Sequence, residues 1–283
     1  MLNLISYLLN QGIATAREIC PDLPEGVRGL PMLTETPCIS GCTACIDICP
    51  TDAISSDELI KIDDCGTITL DLGACISCGY CVDVCPTGTI KNNPSTRVAV
   101  RKREDLILTS PGAIVTSPST DGDNESKNQQ SPIGTVKVRP LADDLKNASW
   151  FKRSVAARVV STGCSACDME LGAANNPIFD MERFGVHVVA SPRFADALIV
   201  TGPVSLGMQE ALKSCYGAMS SPRVVVALGT CAISGGVHKG GYAKANGVEE
   251  HLPVNVYVPG CPPHPWSIIH GMLLAMGKEN LLK

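Results

Sequence analysis

The chain has 283 residues, 45% of them hydrophobic, a net charge of −5 and 15 cysteines, long enough for two domains with separate cores. No stripe rich in lysine and arginine alternates with aromatics, which excludes a nucleic-acid binder. The opening "MLNLISYLLNQGIATAREI" lacks a basic n-region and a twin-arginine pair, and no stretch reaches about 18 uncharged apolar residues, so a cytoplasmic protein with metal-binding thiols is expected rather than a secreted disulfide scaffold.

Residues 1–33 are expected to form an N-terminal docking segment. Within it residues 2–9 suit either a short amphipathic helix on a partner or membrane surface, or a frayed terminus. Residues 34–108 form the cysteine-rich block, and ten of the cysteines precede residue 90. It holds an internal repeat: "CIDICPTDAI" at 45–54 returns as "CVDVCPTGTI" at 81–90, with six identities in ten positions. Alternating apolar residues around 63–66 suit a β-hairpin between the copies. Two such halves describe a small α+β module.

Residues 109–148 are rich in Ser, Pro, Gly, Asn and Gln and bury too little to offset their ordering, so a flexible linker is expected; an ordered loop draped over a partner is the other reading. Residues 149–283 alternate β-branched runs (157–163, 186–191, 196–202, 223–229, 254–260) with helical patterns (205–219, 265–282). Strands alternating with helices predict a parallel sheet covered on both faces, a flavodoxin-like doubly wound α/β domain.

The cysteine spacing carries chemistry. "CISCGYCVDVCP" at 75–86 is Cys-x2-Cys-x2-Cys-x3-Cys-Pro. Three close thiolates suit three iron corners of a cubane, and the fourth, carried past by the x3 turn, reaches a neighbouring cluster. Two such runs close the set: Cys38, Cys42, Cys45 with Cys85, and Cys75, Cys78, Cys81 with Cys49, each around one 4Fe–4S cluster. Paired zinc sites are the alternative, but zinc takes two separated pairs and leaves the third cysteine idle. Small residues beside the ligands (Ser40, Gly41, Thr43, Ala44, Ser77, Gly79) let backbone N–H groups approach the sulfides. The step Cys38-x3-Cys42 is one residue wider than usual. It predicts either a loop with one extra residue and a bound cluster, or an incomplete first cluster.

In the third block Cys164 and Cys167, Cys231 and Cys261 each follow a predicted strand, at the carboxyl edge where open parallel sheets place ligands. Four thiolates there suit zinc or a 4Fe–4S cluster, and the spacing leaves both open. Cys20, Cys65 and Cys215 fall outside these sets, Cys215 as core packing within a helix. Asp168 suits the helix dipole at a predicted helix start, Arg193 either shapes the surroundings of the cysteines or caps a strand, and His264 reads as a surface imidazole.

Residues 38–90 resemble bacterial two-cluster ferredoxins and the ferredoxin-like subunits of formate hydrogenlyase and complex I, where a phrase like "RGLP" (28–31) precedes the first motif. "GCSACDMEL", "SPRFADALIVTGPV", "LGTCAISGG" and "VPGCPPHP" resemble the small subunit of group 4, energy-converting nickel–iron hydrogenases and the matching subunit of complex I. The resemblance covers about 155–277. It implies that Cys164, Cys167, Cys231 and Cys261 ligate a proximal 4Fe–4S cluster, three clusters in all, facing a catalytic large subunit. Cys164-x2-Cys167 and "TGPV" favour the hydrogenase, since complex I subunits carry adjacent cysteines at the first motif.

The resemblance further implies an electron-transfer subunit of a multisubunit oxidoreductase. Its partners would be a nickel–iron hydrogenase large subunit, other electron-transfer subunits or ferredoxin, and membrane-arm subunits holding it on the cytoplasmic membrane. Glu170 matches a family acid at the large-subunit interface and is a candidate proton relay. The rivals are a complex I-like subunit with a nickel-free partner that reduces quinone, and a zinc-stabilised assembly scaffold.

Overall fold

The computed structural model describes residues 6, 12–39, 41–56, 68–110 and 149–282. The expected surface helix at 2–9, apart from residue 6, the hairpin tip at 63–66, Ser40, Cys65 and the linker from 111 to 148 lie outside the described residues.

The repeat builds the N-terminal unit twice. In the first copy α1 (Ala44–Asp47) leads through Cys49-Pro50 into β2 (Ile54–Ser56); in the second, α2 (Tyr80–Asp83) leads through Cys85-Pro86 into β4 (Ile90–Asn92). Ile54 and Ile90 end the two copies, and both are buried. Strand β1 (Pro31–Leu33) pairs antiparallel with β4, while β2, β3 (Ile68–Asp71) and β5 (Ile107–Thr109) form a three-stranded antiparallel sheet. A small α+β unit results, as the repeat predicts.

The C-terminal sheet is wholly parallel. Its strands are β6 (Val155–Ser161), β7 (Val186–Val188), β8 (Ala197–Thr201), β9 (Val224–Leu228) and β10 (Val256–Val258), in the order β10-β9-β8-β6-β7. The first strand thus lies between the second and third, which is the flavodoxin-like winding with its switch point between β6 and β8. The helices are α3 (Ala166–Ala174), α4 (Leu206–Ala218), α5 (Thr230–Ser234) and α6 (Pro265–Ala275). The last helix is shorter than its apolar pattern predicts. Gly277, with φ of +68°, follows Met276 and takes the left-handed conformation that ends a helix; a separate 3-10 turn covers Glu279–Leu282.

Side chains alternate between the faces of a strand, and here each face has a different cover. Ala197, Ile199, Val224, Val226, Val256 and Val258 pack with Leu171 of α3 and with Trp266, Ile269 and Met272 of α6. Leu198, Val200, Val225, Ala227 and Tyr257 pack with Leu212 of α4 and with Leu70, Leu72 and Val100 of the N-terminal unit. That unit therefore takes a place on the sheet that a doubly wound domain gives to helices. Val100 also exchanges both backbone hydrogen bonds with Tyr257, at 3.0 and 2.8 Å, and closes the edge of β10.

The seam continues through buried polar contacts. Ser267 Oγ donates to the Thr96 carbonyl, Arg101 to the Leu274 carbonyl, and the Ala99 N–H to His270 Nδ1 at 3.1 Å. Burial, then Arg97 and Arg101, push His270 down from 6.5 to about 4. Its neutral form is the folded form, because protonating Nδ1 would remove the acceptor. The unfolded chain binds a proton below about pH 6.5 while the folded chain resists it to about pH 4, so stability falls as pH drops through that window, by about 3 kcal/mol in all. Denaturant unfolding between pH 8 and pH 5 should show this slope, and His270→Gln, which does not titrate, should flatten it.

Candidate metal centres

The first quartet joins the two copies of the repeat. Cys45 is buried on α1, Cys38 and Cys42 lie in the preceding loop, and Cys85 comes from the other run. Burial, then Cys42 and Cys85, push the Cys38 thiol up; burial, then Cys38, Cys85 and Cys42, do the same to Cys45. These four sulfurs share one local field. The extra residue of the Cys38-x3-Cys42 step is taken up by a turn in which Gly41 has φ of +76° and the Cys42 N–H donates to the Ile39 carbonyl at 3.1 Å. At Cys85, burial pushes the thiol up, but the Ile90, Thr87 and Gly88 N–H groups and the Thr87 hydroxyl outweigh it and lower the net value.

The second quartet mirrors the first. Burial, then Cys81, Cys49 and Cys78, take Cys75 up to about 12 against an opposing Ser77 hydrogen bond, whose N–H donates to Cys75 Sγ at 3.4 Å. Across from it the Ala53 N–H donates to Cys49 Sγ at 3.3 Å. Cys81 is raised to about 11 by burial, then by Cys78, Cys49 and Cys45. Cys45 belongs to the first quartet, so the two sets are neighbours.

The third quartet stands at the carboxyl end of the large sheet. Cys164 follows β6, Cys167 lies in the first turn of α3, Cys231 follows β9 on α5, and Cys261 follows β10. Burial, then Cys261, Cys231, Cys164 and Asp168, take Cys167 up to about 12. Glycine makes room for the sulfurs. A Cβ on Gly229 (φ of +87°) would lie 2.4 Å from Cys167 Sγ, and one on Gly236 would lie 3.2 Å from Cys231 Sγ. Among the described residues no three Cys, His, Asp or Glu side chains close tightly enough for a single ion. Four thiols held in one field suit a cubane by their donor chemistry, since each soft iron corner takes one thiolate.

Around this site three sequence readings change. Asp168 does more than favour a helix dipole: it accepts from Ser161 Oγ and Thr201 Oγ1, both at 2.6 Å, and ties α3 to the ends of β6 and β8. Asp168→Ala should lower stability by about 1–2 kcal/mol, chiefly through the buried Thr201 hydroxyl left without its acceptor, read as a shift in the denaturant midpoint. Arg193 is exposed on the 3-10 turn Pro192–Phe194 before β8, at the sheet end opposite the cysteines, so it does not shape their surroundings. His264 is half-buried rather than on the surface. Its Nδ1 accepts the Trp266 N–H and caps α6, and Phe179 meets its ring edge-on at 5.8 Å.

Glu170 is half-buried and, with His264, Arg28 and Ser77, lines a cleft of about 190 Å³ beside the Gly260–Pro263 loop. Cys20 is a buried core thiol whose Sγ–H points to the Trp266 carbonyl at 3.5 Å, and Cys215 packs half-buried against the core from α4. The sequence reading missed Thr230 and Ser234, whose hydroxyls cross between the two units. The signal available for Thr230 was its place beside Cys231.

Comparison with known proteins identifies two regions. The family model described as NADH ubiquinone oxidoreductase, 20 Kd subunit, matches residues 164–275, and the model described as 4Fe-4S dicluster domain matches residues 37–89. An uncharacterized protein of Methanocaldococcus jannaschii is 46% identical over 47% of this chain and 89% of its own length. A "probable membrane-bound hydrogenase subunit" of Pyrococcus furiosus is 45% identical over 42% of this chain and 72% of its own. An NADH-quinone oxidoreductase subunit of Phocaeicola vulgatus is 40% identical over 53% of this chain and 75% of its own.

Proposed function

Because the chain belongs to the NADH ubiquinone oxidoreductase 20 Kd subunit family and carries a 4Fe-4S dicluster domain, we propose that it relays electrons between a donor and the nickel–iron site of a partner hydrogenase large subunit. The coarser statement is plain: it is an iron–sulfur electron-transfer subunit of the hydrogenase and NADH-quinone oxidoreductase kind. The proposal adds three 4Fe–4S clusters, on the quartets Cys38/Cys42/Cys45/Cys85, Cys75/Cys78/Cys81/Cys49 and Cys164/Cys167/Cys231/Cys261. It also adopts the division into units at 34–108 and 149–283. Bound clusters supply one-electron chemistry.

One observation carries the reading: the quartets are consecutive in space. Cys81 of the second feels Cys45 of the first, and the Cys75 carbonyl accepts from Thr230, next to Cys231 of the third, at 2.7 Å. Burial is deepest along the inner side of this order, at Cys45, Cys75, Cys81, Cys167 and Cys231, while the other cysteines of the three sets are half-buried. Cys164-x2-Cys167 supports the nickel–iron partner, and the similarity to a quinone oxidoreductase subunit supports a nickel-free, quinone-reducing partner as the second reading. Among the described residues no helix is long and apolar enough to cross a membrane; attachment at the cytoplasmic face through membrane-arm partners is part of the proposal. Glu170, in the cleft beside the Gly260–Pro263 loop, is proposed to pass protons to the partner.

Anaerobic purification of the native complex tests this. About twelve irons in this chain, nickel in the partner and hydrogen-dependent dye reduction are expected. Absence of nickel with quinone reduction would overturn the hydrogenase partner alone, and a colourless, zinc-loaded chain would overturn the relay. Unchanged turnover in Glu170→Gln would remove the proton role.

A further inference from the structure

We propose that Thr230 is a positioning residue that fixes the second quartet against the third, an inference that rests on the relay reading above. Its side chain is 1% exposed. The hydroxyl donates to the Cys75 carbonyl at 2.7 Å and has the Gly260 carbonyl 3.2 Å away, while the Thr230 N–H donates to the same Gly260 carbonyl at 3.0 Å. One side chain therefore touches the backbone of a second-quartet cysteine. Its own residue precedes Cys231, and its other contact precedes Cys261. One ligand residue of the second quartet and the immediate neighbours of two ligands of the third thus meet around a single hydroxyl.

The contact is specific in chemistry as well as place. A buried carbonyl that loses its donor costs free energy and draws its loop toward another partner, so removing the hydroxyl moves Cys75 relative to Cys231. Ser234, one turn further along α5, makes the same kind of bond to the Gly73 carbonyl at 2.9 Å, two residues before Cys75. It holds the same seam without touching a ligand residue. The pair separates a general docking role from a role in setting the distance between quartets.

The test uses the full chain, purified anaerobically, with three variants: Thr230→Val, which keeps shape and removes the donor, Thr230→Ser, which restores it, and Ser234→Ala. Two quantities are read by paramagnetic resonance: the spin–spin splitting between the reduced second and third clusters, and the rapid-freeze rate at which the third becomes reduced after the second. Iron content is measured alongside. Thr230→Val is expected to retain its iron, alter the splitting and slow the transfer several-fold, with Thr230→Ser and Ser234→Ala close to wild type. Wild-type splitting and rate in Thr230→Val would overturn the proposal, and so would an equal loss in Ser234→Ala. If the valine variant loses iron, Thr230→Ala replaces it: slowed transfer with iron retained supports the role, and an unchanged rate overturns it. A wild-type iron count well below about twelve would instead fault the three-cluster reading, so the two failures are distinguishable.

Discussion

Cys85→Ser is expected to remove the cluster of the first cysteine run and to spare that of its own run, and Cys49→Ser to do the reverse. The reason is the crossing of the fourth ligands. Cys38 and Cys45 both sense Cys85 in their local field, while Cys75 and Cys81 sense Cys49. The Cys85 thiol is moreover lowered in net, because N–H groups of Ile90, Thr87 and Gly88 and the Thr87 hydroxyl favour its anion over the cost of burial. Serine offers a harder oxygen that ionises far less readily than a thiol, so a soft iron–sulfur site holds it poorly. Each variant should lose about four irons of about twelve. Paramagnetic resonance of the reduced protein should then lack the signal belonging to the other run. Loss of the second run's signal in Cys85→Ser would mean that each run closes on itself.

Gly229→Ala should empty the third quartet while leaving the first two loaded. A Cβ at this position would lie 2.4 Å from Cys167 Sγ and 3.4 Å from the Gly260 carbonyl, and the backbone sits at φ of +87°. With ψ of 158° as well, that backbone lies in a region nearly confined to glycine and costs an L-residue about 1–3 kcal/mol, and an overfilled buried site costs about 1–3 kcal/mol more. The sulfur can yield only by turning out of the set it shares with Cys261, Cys231 and Cys164. About four irons should be lost, with a lower melting temperature. Gly207→Ala is the control. Nothing lies within 4 Å of a Cβ there, on α4, so the gain in helix propensity should leave iron unchanged and stability equal or higher by about 0.5–1 kcal/mol.

What could be read along the chain was local. The repeat of "CIDICP" and "CVDVCP" gave a module of two equivalent halves, because a proline after the fourth cysteine and an apolar residue four positions later recur at the same offsets; the short helix and strand in each half came from the structure. The five β-branched runs gave five strands because each is short and bounded by a turn residue; the three that form β8, β9 and β10 are apolar on both faces and buried throughout. The end of α6 was missed although Gly277 was visible, because the apolar pattern of "ENLL" beyond it continued a helical period.

By itself, the sequence determined where the cysteines recur, in two repeated runs and after three strands, and that the chain combines a small α+β part with a parallel α/β part, since spacing and periodicity are properties of neighbouring residues. Only the tertiary structure decided that the N-terminal unit packs on one face of the large sheet, that Asp168 binds two strand-end hydroxyls, that Arg193 is remote from the cysteines, and that Thr230 meets Cys75. Those contacts join residues that are mostly tens to hundreds of positions apart. Their energy comes from burial and hydrogen bonds that exist only once both partners have folded, and no local pattern encodes the pairing.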